Sequence, residues 1–428
     1  MFKKYIQKKL EKYVQKYFAK HPEVKLVVVA GSVGKTSAKT AIATVLSKTY
    51  RVRLHDGNHN TGFSAPLAIL GIEYPGDVKS FGAWMSVFQA AKERIKAPTD
   101  VDVIIQELGI DRVGDMAGFG AYLRPDIAVV TAVTPEHMEF FGNIETVAKE
   151  ELSVANFSKI AVINRDDIEG RFADFLTNAA IDTYGTTAAA EYRFEVQDFS
   201  LQNGYNGNLI APEFNQPTSA TIHLAGEHSL RPAMAAATVG IKLGMLPADI
   251  AAGLAEVRAV PGRMNVLRGV EGSTIIDDTY NSSPAAASAA LQTLYSVETP
   301  QRIAILGSMN ELGGSSAQEH KSIGSMCDPN LLAWVITVGD EAEIHLAPAA
   351  RARGCQVKCF KTAVDAGAFA HSVLEPNAVV LAKGSQGGIF VEEAVKILLH
   401  ETHDDRRLVR QSAEWLKIKS DFFSKFCY

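Results

Sequence analysis

A chain of 428 residues is too long for one compact core and, at roughly 150 residues per domain, holds two or three. Hydrophobic residues at 47% and charged residues at 21% exclude wholesale disorder, and no apolar run approaches the ~20 residues that span a bilayer. A net charge of −5 argues against a nucleic-acid partner, and four cysteines without a C-x-x-C pair make neither a disulfide framework nor a zinc ribbon, which fits a reducing, cytoplasmic compartment.

The first 24 residues stand apart. Phe2, Tyr5, Ile6, Leu10, Tyr13, Val14, Tyr17 and Phe18 recur at helical steps, Lys3, Lys4, Lys8, Lys9, Lys12, Lys16 and Lys20 fill the other face, and His21-Pro22 ends the helix. Without a continuous apolar segment this is not a secretory signal. Its basic, amphipathic character suits peripheral contact with an anionic membrane surface; packing on the body of the protein is the other reading. Next, Leu26–Ala30, Val103–Leu108, Ile127–Val133 and Ile160–Ile163 read as strands buried on both faces, with helices between them, as over 35–48 and 143–157. That alternation implies parallel βαβ units. The turn-rich stretch 190–224, with Asn203-Gly204 and Asn206-Gly207, reads as an antiparallel insertion or edge hairpins. Pro261-Gly262 marks a boundary, after which Thr274–Asp277, Ile303–Leu306, Trp334–Val338, Val357–Phe360 and Ala378–Ala382 are strands of a second α/β series. The expectation is an α/β chain: a helix over 1–24, a central domain over 25–260 and a C-terminal domain over 261–428.

Strand Leu26–Ala30 runs into Gly31-Ser32-Val33-Gly34-Lys35-Thr36-Ser37 and then a helix. Glycines let backbone N–H groups turn inward, the helix N-terminus adds a positive dipole, and Lys35 can reach the β and γ phosphates of a nucleotide. Thr36 is placed to give its hydroxyl to Mg²⁺. The first glycine of the usual phosphate-loop pattern is replaced by Val29, so the strand-loop-helix context carries the reading.

The residues that follow extend it. Gly57-Asn58-His59-Asn60-Thr61-Gly62 with Pro66-Leu67, Glu107-Leu108-Gly109, Arg124-Pro125-Asp126, Thr134-Pro135-Glu136-His137-Met138-Glu139, Ile163-Asn164-Arg165-Asp166-Asp167 and Gly226-Glu227-His228 resemble, in order, motifs of the Mur ligases. Gly262-Arg263, Asp277-Asp278-Thr279-Tyr280-Asn281, Glu311-Leu312-Gly313 with His320, and Lys383-Gly384-Ser385 continue the series. The D-D-x-Y-N and M-x-E-L-G forms point to the branch that adds D-alanyl-D-alanine. The resemblance implies a P-loop central domain and a Rossmann-like C-terminal domain, using ATP and Mg²⁺ to convert a carboxylate into an acyl phosphate that an amine displaces. It assigns Gly31, Ser32, Gly34, Lys35, Thr36 and Ser37 to the phosphates, Thr36 and Glu107 to one Mg²⁺, His137 to a second, and Asn60 to the neighbourhood of metal and γ-phosphate. Arg263 is expected near the phosphates, Asp278 at the ribose, and Asn281 and Lys383 on the substrate side. His59, His228 and His320 are left open between site and scaffold.

Three departures qualify this. Many Mur ligases carry a carbamylated lysine fourteen residues after the metal histidine; counting from His137, that position is Glu151, whose carboxylate we take as a permanent substitute for the carbamate and a metal ligand. Lys149 lies about 200° around the helix from it. The asparagines that follow G-R-H in the family are absent from His228-Ser229-Leu230-Arg231-Pro232. Finally, the family's UDP-binding domain has no counterpart before Lys25. The expected substrates are therefore a peptidoglycan-precursor-like carboxylate, with altered or lipid-linked forms included, and an amino acid or dipeptide such as D-Ala-D-Ala, handled by a monomer. The competing readings are a glutamate-adding ligase like folylpolyglutamate synthase and a regulatory NTPase that forms no amide.

Overall fold

The computed structural model describes residues 2–55, 57, 59–135 and 138–426. The chain forms two compact units: Met1–Phe199 with Tyr205–His223 and Leu230–Val257, and Ser200–Gly204 with Leu224–Ser229 and Arg258–Tyr428.

The first unit opens with helix α1 (Phe2–Lys20), then β1 (Lys25–Ala30), α2 (Lys35–Leu46), β2 (Val52–Leu54), α3 (Ala65–Leu70), α4 (Phe81–Lys96), β3 (Val103–Glu107), α5 (Asp115–Gly120) and β4 (Ile127–Val130). It continues through α6 (Met138–Phe141), α7 (Ile144–Leu152), β5 (Ile160–Asn164), β6 (Ile181–Gly185), β7 (Tyr192–Ser200), β8 (Gly204–Ile210), β9 (Thr218–Ile222), α8 (Leu230–Lys242) and α9 (Pro247–Glu256). Its sheet has the order β2-β3-β1-β4-β5-β6-β7-β8-β9. Pairing is parallel from β2 across to β7, while β8 and β9 are antiparallel, as the turn-rich 190–224 stretch implied. Strands β1, β3 and β4 are buried on both faces, which accounts for their unbroken apolar runs.

Helix α1 lies alongside α4. Tyr13 meets Phe88 with ring centroids 6.0 Å apart, and the Lys9 ammonium stands 4.0 Å from the centre of the Phe88 ring. The His21 ring reaches the Ile95 carbonyl oxygen at 3.1 Å. Ile6, Leu10, Tyr13, Val14 and Tyr17 belong to the core of the unit. The apolar stripe that the sequence offered to a membrane is thus covered by protein from Ile6 to Tyr17, while Phe2 and Tyr5 stay exposed together with Lys3, Lys4, Lys8, Lys12, Lys16 and Lys20. No helix among the described residues is long and apolar enough to cross a membrane.

The second unit holds β10 (Asn265–Arg268), β11 (Thr274–Asp278), α10 (Pro284–Ser296), β12 (Arg302–Gly307), α11 (Ser316–Met326), β13 (Trp334–Val338), α12 (Ala347–Ala352), β14 (Val357–Phe360), α13 (Ala363–Ser372), β15 (Val379–Lys383), α14 (Glu392–Leu398) and α15 (Ala413–Phe423). The sheet order is β10-β11-β15-β12-β13-β14. All neighbours are parallel except β10, which returns antiparallel against β11. Two apolar layers cover it. One gathers Leu291, Ile323 and Leu346; the other gathers Ala366, Ala370, Ala394 and Leu398. The small residues of the second layer let α13 and α14 approach closely: a Cβ on Gly367 would stand 2.7 Å from the Ala394 Cα.

Candidate functional site

The loop after β1 is built to present backbone N–H groups. Gly31 has φ +123°, and a Cβ there would stand 2.4 Å from the Thr131 hydroxyl oxygen, so only glycine fits. Thr131 Oγ1 donates to the Val33 carbonyl at 2.6 Å, and the Ser32 Oγ accepts from the Thr134 N–H at 3.1 Å. Gly34, at φ +86°, turns the chain into α2, with Lys35, Thr36 and Ser37 in its first turn. Lys35 Nζ folds back onto the Gly31 carbonyl and lies 3.4 Å from that of Ser32. The ammonium thus arches over the loop whose N–H groups and helix dipole favour an anion.

Parallel pairing sets Val29 of β1 beside Glu107 at the end of β3, so this carboxylate arrives next to the loop. Both its oxygens are engaged. Oε1 accepts from Asn60 Nδ2 at 3.0 Å; Oε2 accepts from Thr36 Oγ1 at 3.3 Å and pairs with Lys39 Nζ at 3.3 Å. Lys39 also donates to the Gly57 carbonyl at 2.8 Å, tying Gly57 to α2. Gly109 makes room for Asn60, since a Cβ there would stand 2.8 Å from its Nδ2. The ring of His59, 3.9 Å from that of His55, has its pKa lowered by burial first and then by the charges of His55 and Lys39. Three of the expected residues, Thr36, Asn60 and Glu107, therefore meet directly.

The sequence reading passed over Lys39. Four residues after Lys35, it shares that lysine's face of α2, and its side chain is only 5% exposed. A lysine in a helix usually reads as solvated surface; the i, i+4 spacing from the P-loop lysine was the available signal.

Glu151, in α7, is fully buried, and its Oε2 accepts from the Gly31 N–H at 2.7 Å. It stands at the phosphate loop rather than on the surface. Glu150, beside it, accepts from the N–H groups of Gly114 and Met116 at 3.0 and 2.8 Å. His137 and Asn58 lie outside the described residues. Among the described residues, no three His, Cys, Asp or Glu side chains gather around a metal-sized position. The hard oxygen donors of Thr36 and Glu107 nevertheless match what Mg²⁺ takes beside a phosphate. Arg231, in the segment that lacks the family's asparagines, pairs with Asp167 at 3.0 Å and approaches Asp166 at 3.5 Å.

In the second unit, the turns after β11 and β15 meet the chain entering β10. Asp278 Oδ1 accepts from the Met264 N–H at 3.1 Å, and its Oδ2 binds Lys383 Nζ at 2.5 Å. Lys383 also donates to the Asn281 carbonyl at 3.0 Å, and the Arg263 guanidinium lies 4.1 Å from the centre of the Tyr280 ring. Arg263, Asp278, Asn281 and Lys383 thus form one cluster. Asp277 faces the other way, accepting from Gly262 N–H at 3.1 Å and Thr279 Oγ1 at 2.6 Å. Burial pushes its carboxyl up to about 6, with Asp278 adding to the shift and these hydrogen bonds opposing it. His320 is scaffold: its Nε2 accepts from the Met309 N–H at 2.8 Å, and its Nδ1 lies 2.8 Å from the Ser316 carbonyl.

These observations define a phosphate-loop α/β chain with a second, mostly parallel α/β unit. Residues 29–240 match the Mur ligase middle domain and residues 262–386 the Mur ligase glutamate ligase domain. The chain belongs to the Mur ligase family. A UDP-N-acetylmuramoyl-tripeptide–D-alanyl-D-alanine ligase of Bacillus subtilis is 29% identical over 322 residues, covering 74% of this chain, and the match spans 63% of that relative's length. The crystal structure of MurF from Acinetobacter baumannii has a TM-score of 0.73 at 21% identity, with 92% of this chain and 80% of that one covered. MurF ligase from Thermotoga maritima in complex with ADP has a TM-score of 0.71 at 21% identity, with 93% and 84% covered. Both structures share the fold.

Replacing one member of the buried pair should expose its cost. Lys39→Met leaves the Glu107 carboxylate without its buried cation and should cost ~3–5 kcal/mol, whereas Lys39→Met with Glu107→Gln should recover most of the loss. Urea denaturation of the three proteins measures this.

Proposed function

We propose that this chain is an ATP-dependent ligase that joins a peptidoglycan-precursor-like carboxylate to the amine of D-Ala-D-Ala or a similar amino acid or dipeptide. The single observation that carries the reading is Glu107, held by Thr36, Lys39 and Asn60 beside a P-loop, in a chain whose curated relatives are named for that reaction. A carboxylate oxygen attacks the terminal phosphorus of ATP and ADP leaves; the amine nitrogen then attacks the acyl carbon, phosphate leaves and the amine gives up a proton. Such transfers need positioning and charge neutralisation more than a protein nucleophile. The loop N–H groups and Lys35 neutralise and orient the phosphates, and Asn60 and Lys39 keep the Glu107 carboxylate in place. Thr36 and Glu107 would hold Mg²⁺, which supplies charge neutralisation to the phosphates when bound.

Glu151 is proposed as the permanent carboxylate standing where family members carry a carbamylated lysine. Its burial at the Gly31 N–H supports this placement. For the second unit, Arg263 and Asp278 are proposed for the nucleotide, and Asn281 and Lys383 for the substrate. The exposed lysine face of α1 is proposed to lie against anionic lipid head groups, each lysine contributing about 1 kcal/mol.

Phosphate release should require ATP, a muramoyl-peptide carboxylate and an amine together, and Lys35→Ala should lower it at least about 100-fold. Glu151→Ala should be nearly inactive, and Glu151→Lys should recover activity with added bicarbonate. Release without an amine would favour the regulatory NTPase reading, release with glutamate alone the glutamate-adding one, and full activity in Glu151→Ala would remove that residue from the site.

Deleting α1 would open the core, so the lipid reading is better tested with Lys3, Lys4, Lys8 and Lys12 changed to Gln. The unchanged chain should sediment with phosphatidylserine vesicles and the variant should not. Equal sedimentation of the two would end the lipid reading.

A further inference from the structure

Residues beyond the matched glutamate ligase domain do more than finish the fold. Arg410 sits in a loop between α14 and α15 with its backbone at φ +56°, the left-handed region that non-glycine residues rarely adopt. One edge of its guanidinium is fixed by Glu392, at the start of α14: Nε donates to Oε1 and Nη2 to Oε2, each at 2.8 Å. The other edge reaches the D-D-T-Y-N loop, where Nη2 donates to the Thr279 carbonyl at 2.6 Å and Nη1 to the Tyr280 carbonyl at 3.0 Å. Glu392 is fully buried and is also paired with Lys419 of α15 at 3.0 Å. Lys419 in turn pairs with Glu393 at 2.6 Å, while Phe422 packs edge-on against Phe390 with centroids 5.3 Å apart.

The loop so gripped carries the nucleotide-side and substrate-side candidates. Tyr280, whose carbonyl Arg410 holds, has its ring under the Arg263 guanidinium, and its N–H donates to the Gly262 carbonyl at 2.9 Å. The Arg263 Nε is buried and has no hydrogen-bond partner among the described residues, and the Tyr280 ring lies against its guanidinium. On the other side of the same loop, Lys383 joins Asp278 to the Asn281 carbonyl. A planar guanidinium with its donors divided between a buried carboxylate and two adjacent carbonyls fixes a loop in a way that a single ammonium cannot.

We propose that Arg410, set by Glu392 and Lys419, is a positioning residue: it holds Thr279 and Tyr280 in place and thereby presents Arg263 and Asp278 to the nucleotide. This rests on the proposed assignment of Arg263 and Asp278 to the nucleotide. It adds that the C-terminal segment 408–423 is a working part of the site.

The test uses the full chain with Arg410→Ala, Arg410→Lys and Arg263→Ala. Two readouts are taken: deuterium uptake of the backbone amides over 277–283, and ADP affinity by calorimetry in the presence of Mg²⁺. Arg410→Ala should speed exchange over 277–283 while leaving β12, β13 and β15 protected, and should weaken ADP binding about tenfold through misplacement alone. Arg410→Lys should recover part of the affinity, because it restores one donor of the fork. Wild-type exchange and affinity in Arg410→Ala would overturn the clamp, as would faster exchange spread over the whole unit, which would make Arg410 a general stability residue. If Arg263→Ala binds ADP as wild type does, the nucleotide assignment itself is wrong; if Arg263→Ala is weakened and Arg410→Ala is not, only the clamp is.

Discussion

A buried carboxylate is tolerated only when its charge is met, and Glu107 shows what meeting it requires. Asn60, Thr36 and Lys39 come from a loop and two places on one helix, and all three converge on the end of β3. For this to happen, β1 and β3 must be parallel neighbours in register, α2 must begin at the glycine turn, and the Gly57 carbonyl must stand against Lys39. One carboxylate thereby ties helix α2, which follows the phosphate loop, to Asn60. In this chain Lys39 supplies the compensating charge, and the hydroxyl and carboxylate oxygens of Thr36 and Glu107 offer hard donors to a divalent cation.

The second unit solves a similar problem with another pair. Asp278 and Lys383 come from the ends of two adjacent parallel strands and lock the turn after β11 to the turn after β15. Asp277, one residue earlier and therefore on the opposite face of the strand, is turned inward to hold the Gly262 and Thr279 turns. Adjacent acids of one motif thus do different work because strand residues alternate. The C-terminal segment then closes the remaining side of the loop through Arg410.

Much of the architecture was legible from residues. Strands buried on both faces write continuous apolar runs, so β1, β3, β4, β5, β11, β12, β13 and β15 could be read directly, and the glycine turn before α2 announced the phosphate loop. Short or half-exposed strands such as β2, β6 and β10 carry no such run and went unread. Amphipathicity showed that α1 has an apolar face but not what covers it; tertiary packing against α4 decided that. Lys39, marked only by its i, i+4 spacing from Lys35, and Arg410, marked by nothing, share one difficulty: a charged side chain in a helix or tail reads as solvated unless its buried partner, here Glu107 or Glu392, is known to stand opposite. Glu151 could be found by counting along the family's motif, but its contact with the Gly31 N–H is a matter of three-dimensional placement.

The central claim is that Glu107 is held in place to meet a metal-bound nucleotide. Calorimetric titration of ADP into the full chain and into Glu107→Gln, each with Mg²⁺ and with EDTA, tests it most directly. Mg²⁺ should tighten ADP binding to the unchanged chain and have little effect on the variant. An equal effect of Mg²⁺ on both proteins, or none on either, would contradict the account.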